Sequence, residues 1–94
     1  MSDIIINGLK FSETCAACPE QYEVTDGRSK QVGYLRLRHG RFTVEYPDCG
    51  GRLLLEAEPD GDGRFTDAER EHYLRLAALA VKAAIHREYR EARA

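Results

Sequence analysis

Three groups of side chains have the residue types and spacing to do chemistry. The first is acidic: Asp60, Asp62 and Glu69 lie in "EPDGDGRFTDAERE", residues 58–71, just before a long helical run. Calcium takes six to eight oxygen ligands, and closely spaced carboxylates with glycines between them can supply such a set. The second is sulfur. Cys15 and Cys18 have the two-residue spacing that lets two thiolates grip one tetrahedral metal, and Cys49 and His39 could complete a Cys3His set. The third is basic: Arg36, Arg38 and Arg41, with His39 among them and Tyr34 two residues upstream. Such clusters bind phosphate, and an aromatic side chain on the same face can stack on a base.

Counted from Glu58, the acidic stretch resembles the twelve-residue calcium loop of the EF-hand family. Asp60 and Asp62 fall at the third and fifth positions, Gly63 at the sixth, Phe65 at the eighth and Glu69 at the twelfth. The resemblance implies calcium held by these carboxylates and the Arg64 carbonyl, with Glu69 closing the site through both oxygens. The same residues also spell a helix start. Thr66-Asp67-Ala68-Glu69 fits a capping box, in which the Thr66 hydroxyl accepts the Glu69 N–H and the Glu69 carboxylate accepts the Thr66 N–H. Asp60-Gly61 and Asp62-Gly63 are then turn dipeptides. The two readings compete for Glu69; the cap is expected, with calcium as the alternative.

Similar competition surrounds the other groups. The cysteines are expected as partly buried thiols, with structural zinc or a redox dithiol as alternatives. Glu23, Glu45 and Glu56 should share the sheet face of the basic cluster, so a solvated ladder of cross-strand charge pairs is expected there. Nucleic-acid binding and an acidic protein partner are the alternatives for Tyr34, Arg36, Arg38 and Arg41. His72 and His86, among charged neighbours on the helix, are assigned no role. The chain contains no G-x-S-x-G, H-E-x-x-H, P-loop or G-x-G-x-x-G motif. An enzyme is not expected, nor a bound cofactor beyond the calcium and zinc alternatives.

The elements that position these residues follow from periodicity. "DIIINGLKF" holds a β-branched run and Asn7-Gly8, a pair that favours a tight turn between short strands. "SETCAACPE" reads as a loop, because Pro19 lacks a donor and biases Cys18 toward extended backbone. Strands are expected at 21–25, 31–38, 41–46 and 52–58. If His39-Gly40 is a two-residue hairpin loop, Leu37 faces Phe42 and Leu35 faces Val44. These four then line one face, leaving Tyr34, Arg36, Arg38, Arg41, Thr43 and Glu45 on the other. Leu53, Leu55 and Ala57 are expected on the core side of the last strand.

From about Thr66 to about Arg93 the chain has no Gly or Pro and places Leu74, Ala77, Ala78, Val81 and Ile85 at helical spacing. A single α+β domain over residues 1–94 follows: a four-stranded antiparallel meander, which the N-terminal segment could extend, with one long C-terminal helix packed on one face. The helix should overhang the strands. Between Leu74 and Ile85 only Arg75 and Lys82 are charged, so the apolar arc exceeds the roughly 100° stripe that covers a sheet. A homodimer or a docked partner is the expected use of the excess.

Apolar residues make up 43% and charged residues 32% of the 94, a balance that favours folding over disorder. The net charge is −2 but unevenly spread: residues 28–41 carry five basic residues and no acid, residues 45–71 nine acids against three arginines. Asp67, Glu69 and Glu71 in the first turns of the helix and Arg87, Arg90 and Arg93 in the last complement its dipole, so part of that asymmetry is local helix chemistry. No run approaches the roughly 20 apolar residues of a membrane helix, the N-terminus lacks the pattern of a signal peptide, and three cysteines suit a reducing compartment. The cytoplasm is the expected location. "CPEQYEV" and "QVGYLRLRHGRFTVEYPDCGG" resemble segments of small bacterial or phage-borne proteins, a resemblance that implies no activity. A small non-enzymatic interaction protein, acting as a binding, inhibitor or accessory module, is the function expected.

Overall fold

A computed structural model describes residues 3–15, 20–59 and 64–93. The elements are β1 (Asp3–Ile6), β2 (Leu9–Cys15), β3 (Glu20–Thr25), β4 (Gln31–Arg38), β5 (Arg41–Tyr46), β6 (Arg52–Ala57) and α1 (Asp67–Arg93). Each strand pairs antiparallel with the next, giving one sheet in the order β1-β2-β3-β4-β5-β6. The α+β arrangement with a long C-terminal helix is as expected, but the sheet has six strands where the sequence suggested four.

The added pair has a clear physical origin. Asn7 and Gly8 both adopt positive φ, 53° and 80°, the backbone of the hairpin turn whose twist matches that of its strands. Leu9 and Phe11 then continue the inward alternation, with Phe11 opposite Val24 and fully buried. That pairing carries β2 on to Cys15, so "SETC" is strand where a loop was expected. At the β4–β5 turn, His39 and Gly40 take the same positive-φ pair, 55° and 73°. The pairing there is the expected one: Arg38 faces Arg41, Leu37 faces Phe42, Arg36 faces Thr43 and Leu35 faces Val44.

The β5–β6 pairing departs from simple alternation. Val44 faces Leu55 but Glu45 faces Leu53, so Leu54 is an extra residue on β6. Such a bulge flips side-chain parity beyond it. Leu53, expected in the core, is therefore carried to the face of Glu45 and is exposed, whereas Leu54, Leu55 and Ala57 pack against the core.

The inner face carries Leu9, Phe11, Tyr22, Val24, Leu35, Leu37, Phe42 and Val44, all buried against Leu74, Ala77, Ala78, Val81 and Ala84 of α1. Ile85 is only partly buried. Helix α1 contacts β4 and β5 and also the two outermost strands, β1 and β6. Those edges would lie about 24 Å apart in a flat sheet, against a helix about 10 Å wide, so the sheet curls round the helix. Lys82 Nζ donates to the Asn7 carbonyl at 2.8 Å, and the Tyr46 hydroxyl donates to Glu88 at 2.6 Å. Burial and the Glu88 carboxylate push the Tyr46 hydroxyl up to about 12. Beyond Ile85, residues 86–92 are exposed, and the longest dimension of the molecule, 42 Å, is close to the roughly 40 Å length of a 27-residue helix. Among the described residues, no helix is long and apolar enough to cross a membrane.

Close approach of helix to sheet depends on Gly33. A Cβ there would lie 3.2 Å from Val81 Cγ2 and 3.3 Å from Val24 Cβ. Gly33→Val is therefore expected to destabilise the fold by about 1–3 kcal/mol, the usual range for overpacking. Urea denaturation would measure this, and the companion change Val81→Ala should recover part of the loss.

Candidate functional site

The residue with the most unusual surroundings is Glu20, at the start of β3, which is 1% exposed and is the only charged side chain fully buried among the described residues. It lies on the inner face with Tyr22 and Val24, where strand alternation directs it. Arg70, in the first turn of α1, donates from Nε to one carboxylate oxygen at 2.8 Å and from a terminal nitrogen to the other at 3.2 Å. The Tyr22 hydroxyl and the Phe65 backbone N–H also donate to it, and Arg64 lies 3.7 Å away while pairing with Glu13 at 3.2 Å. Arg70 reaches Asp67 and the Phe65 carbonyl as well.

The electrostatics follow from this geometry. Burial alone would raise the Glu20 carboxyl, but the hydrogen bonds from Arg70, Tyr22 and Phe65 outweigh it and hold the group below the usual carboxylate range. Burial, and then the neighbouring Glu20 carboxylate, push Tyr22 well above its ordinary value. Hydrogen bonding to Glu20 pushes Arg70 upward. Each group is thus locked in its ordinary neutral-pH charge state, the opposite of the poise near neutrality that acid–base catalysis requires. The cluster docks the start of α1 onto β3.

The helix start itself resolves into the capping box: the Thr66 N–H donates to Glu69 Oε1 at 3.0 Å, and the Glu69 N–H donates to the Thr66 hydroxyl at 3.2 Å. Asp60 and Asp62, the other carboxylates of the calcium reading, lie outside the described residues, as does Cys18. His39 and Cys49 occupy turns at opposite ends of β5, too far apart to share a metal. Cys49, expected to be partly buried, is an exposed free thiol in a turn where its backbone N–H donates to Asp48 at 2.6 Å. Among the described residues, no three His, Cys, Asp or Glu side chains converge to hold a metal ion.

Tyr34, Arg36, Arg38 and Arg41 share the outer, helix-free face, with Tyr34 outside the groove that the arginines line. Arg36, Arg38, His39, Arg41 and Thr43 line one open groove. Of the expected charge ladder, Arg41 pairs with Glu56 across to β6, while Glu23 and Glu45 flank Tyr34 on the neighbouring strands. Arg28 and Lys30 belong to the β3–β4 turn at the other end of the sheet, where their backbone N–H groups donate to Asp26 and lower its carboxyl. They add nothing to the groove. The strand expected at 21–25 leaves Glu20 outside it; the alternation Glu20, Tyr22, Val24 is the signal in the sequence that includes it.

A second exposed feature lies along α1. Leu76, Leu79, Ala80 and Ala83 form a stripe beside the buried one, and Ala80, Ala83 and Ala84 line a groove with Leu53 and Leu54 of β6, closed at one end by Arg52 and Arg87. No family model matches the chain, and no curated protein or solved structure is significantly similar to it.

Removing Arg70 while keeping its bulk isolates the Glu20 cluster. Arg70→Met leaves a buried carboxylate without its main partner and is expected to cost about 3–5 kcal/mol at pH 7. In the parent, the depressed Glu20 pKa contributes stability that is present above the unfolded carboxyl value and lost as pH falls through the lower folded value. In the variant the uncompensated carboxyl is raised, so acid relieves it. The deficit measured by thermal denaturation should narrow between pH 7 and pH 4; a deficit that widens would refute the assignment.

Proposed function

We propose that this protein is a non-enzymatic interaction module that docks a protein partner on the apolar flank formed by α1 and β6. The observation carrying this reading is the exposure of Leu79 at 60% and Leu76 at 37% on α1 and of Leu53 at 49% on β6, where Leu53 lines a groove with Ala80, Ala83 and Ala84. Exposed apolar surface of this kind, rimmed by charge, is characteristic of protein interfaces. Arg75 and Lys82 lie on the helix beside the stripe, and Arg52 and Arg87 close the groove. A partner presenting an apolar ridge edged with Asp or Glu is complementary to it.

Two further observations support the reading. The shifted groups move away from neutrality, which favours binding over acid–base chemistry. The bulge at Leu54 interrupts the free edge of β6, which favours a side-chain interface over strand addition.

The test is Leu79→Glu. Because Leu79 is exposed, stability should change by no more than about 0.5 kcal/mol, while a partner co-purified with the wild-type protein from its native cells should be lost. Self-association of the purified chain, abolished by the same change in sedimentation experiments, would assign the flank to a second copy instead. Retention of the partner by Leu79→Glu would reject the surface.

A further inference from the structure

On the opposite face, independently of the apolar flank, we infer that the groove between β4 and β5 is an oxyanion site that accepts one compact phosphate-class group. Arg36, Arg38, His39, Arg41 and Thr43 line it. Cross-strand pairing sets Arg38 directly against Arg41, a like-charge arrangement unfavourable in an empty sheet. Glu56 offsets one of them through its pair with Arg41. The only described acceptor for Arg38 is a neutral one, its Nε donating to His39 Nε2 at 3.3 Å.

Arg36 supplies the second observation. Its Nε is buried and meets no acceptor among the described residues. The side chains opposite it on the flanking strands are Gln21 and Thr43, neither of them acidic, and Gln21 Oε1 already accepts the Tyr34 hydroxyl at 3.2 Å. A buried guanidinium donor without an acceptor is costly. A phosphate has several strong acceptor oxygens and matches the arginine fork, so with the Arg36 side chain turned into the groove it would satisfy Arg36 and relieve the Arg38–Arg41 repulsion together. Thr43 adds a neutral hydroxyl donor.

The ligand must be compact. Glu23 and Glu45 stand on either side of Tyr34 on this face, and Glu56 stands opposite Thr43 on β6. An extended polyanion running along the strands past Tyr34, or across them onto β6, would bring its phosphates against carboxylates. The groove offers about 390 Å³, toward the lower end for small-ligand sites and enough for a phosphate monoester.

Titration of the ¹⁵N-labelled protein with inorganic phosphate and, separately, methyl phosphate tests the site and distinguishes free anion from ester. Saturable shifts at the Arg36 and Thr43 amides are expected for at least one of them. Affinity should fall by at least about tenfold in Arg36→Gln, the loss of one charge-assisted contact, and be unchanged in Arg75→Gln on the helix. Thermal denaturation of Arg36→Gln checks that its fold is intact. Three results would overturn the inference: no saturable shift with either anion, equal affinity in Arg36→Gln, or affinity that climbs with the length of an oligothymidylate or an oligoglutamate. The last would assign the face to a polyanion.

Discussion

The fold depends on satisfying one buried carboxylate. Taking Glu20 out of water costs several kcal/mol in isolation, and the compensating donors come from three places in the chain: Tyr22 on the same strand, the backbone at Phe65, and Arg70 on α1. Helix and sheet therefore cannot slide by a turn or a strand without stranding a charge. The same contact holds Phe65 where its ring meets Phe42 edge-on at 5.1 Å and stacks on Tyr73 at 5.4 Å. A polar constraint thus positions the aromatic end of the core, while Ala77, Ala78 and Val81 supply close packing further along the helix. Hydrophobic burial provides the larger driving force; the carboxylate selects which packing is reached.

Where strand period and turn chemistry agreed, the sequence was legible. His39-Gly40 predicted a two-residue hairpin, and the resulting register placed Leu35, Leu37, Phe42 and Val44 inward and the arginines outward, as found. The capping box was legible for the same reason, since Thr66 and Glu69 need only each other. Leu53 was misplaced because a bulge is one extra residue whose presence depends on how two strands meet, and nothing local to "RLLLEA" announces it. Glu20, the first residue after Pro19, continues the alternation of Tyr22 and Val24, but no cation nearby in the chain offsets the cost of burying its charge. The partner that makes its burial tolerable lies 50 residues away. Of the candidate site residues, the shared face of the basic cluster was legible in its spacing, whereas the lone position of Arg36 within it depends on the flanking strands.

The sheet's curl explains why its two faces differ in use. Closing six strands round one helix buries the concave side almost entirely with apolar residues, leaving the convex side to Asp3, Lys10, Glu23, Arg36, Arg38, Arg41, Glu45 and Glu56. Charges of both signs balance over that face as a whole, so long-range attraction of a large polyanion is weak. Local imbalance survives only at the β4–β5 hairpin, where register puts Arg38 opposite Arg41 and leaves Arg36 beside neutral neighbours. A face that is neutral overall and positive at one point discriminates by size, favouring a small anion.

The apolar flank has a different origin, in the management of a free edge. A sheet with β6 outermost offers unpaired backbone to other chains, and "LLL" at its centre would make an uninterrupted edge sticky. The extra residue at Leu54 breaks the regular spacing of those backbone groups. The same residue reverses parity and turns Leu53 out of the core, leaving it beside a helix flank already rich in Leu and Ala. Protection against strand addition and creation of a side-chain surface are therefore one structural event. Deleting Leu54 would leave Leu53 opposite Glu45 but restore regular pairing and expose a continuous edge, so a docking surface selective for side chains at this position requires the bulge to be kept.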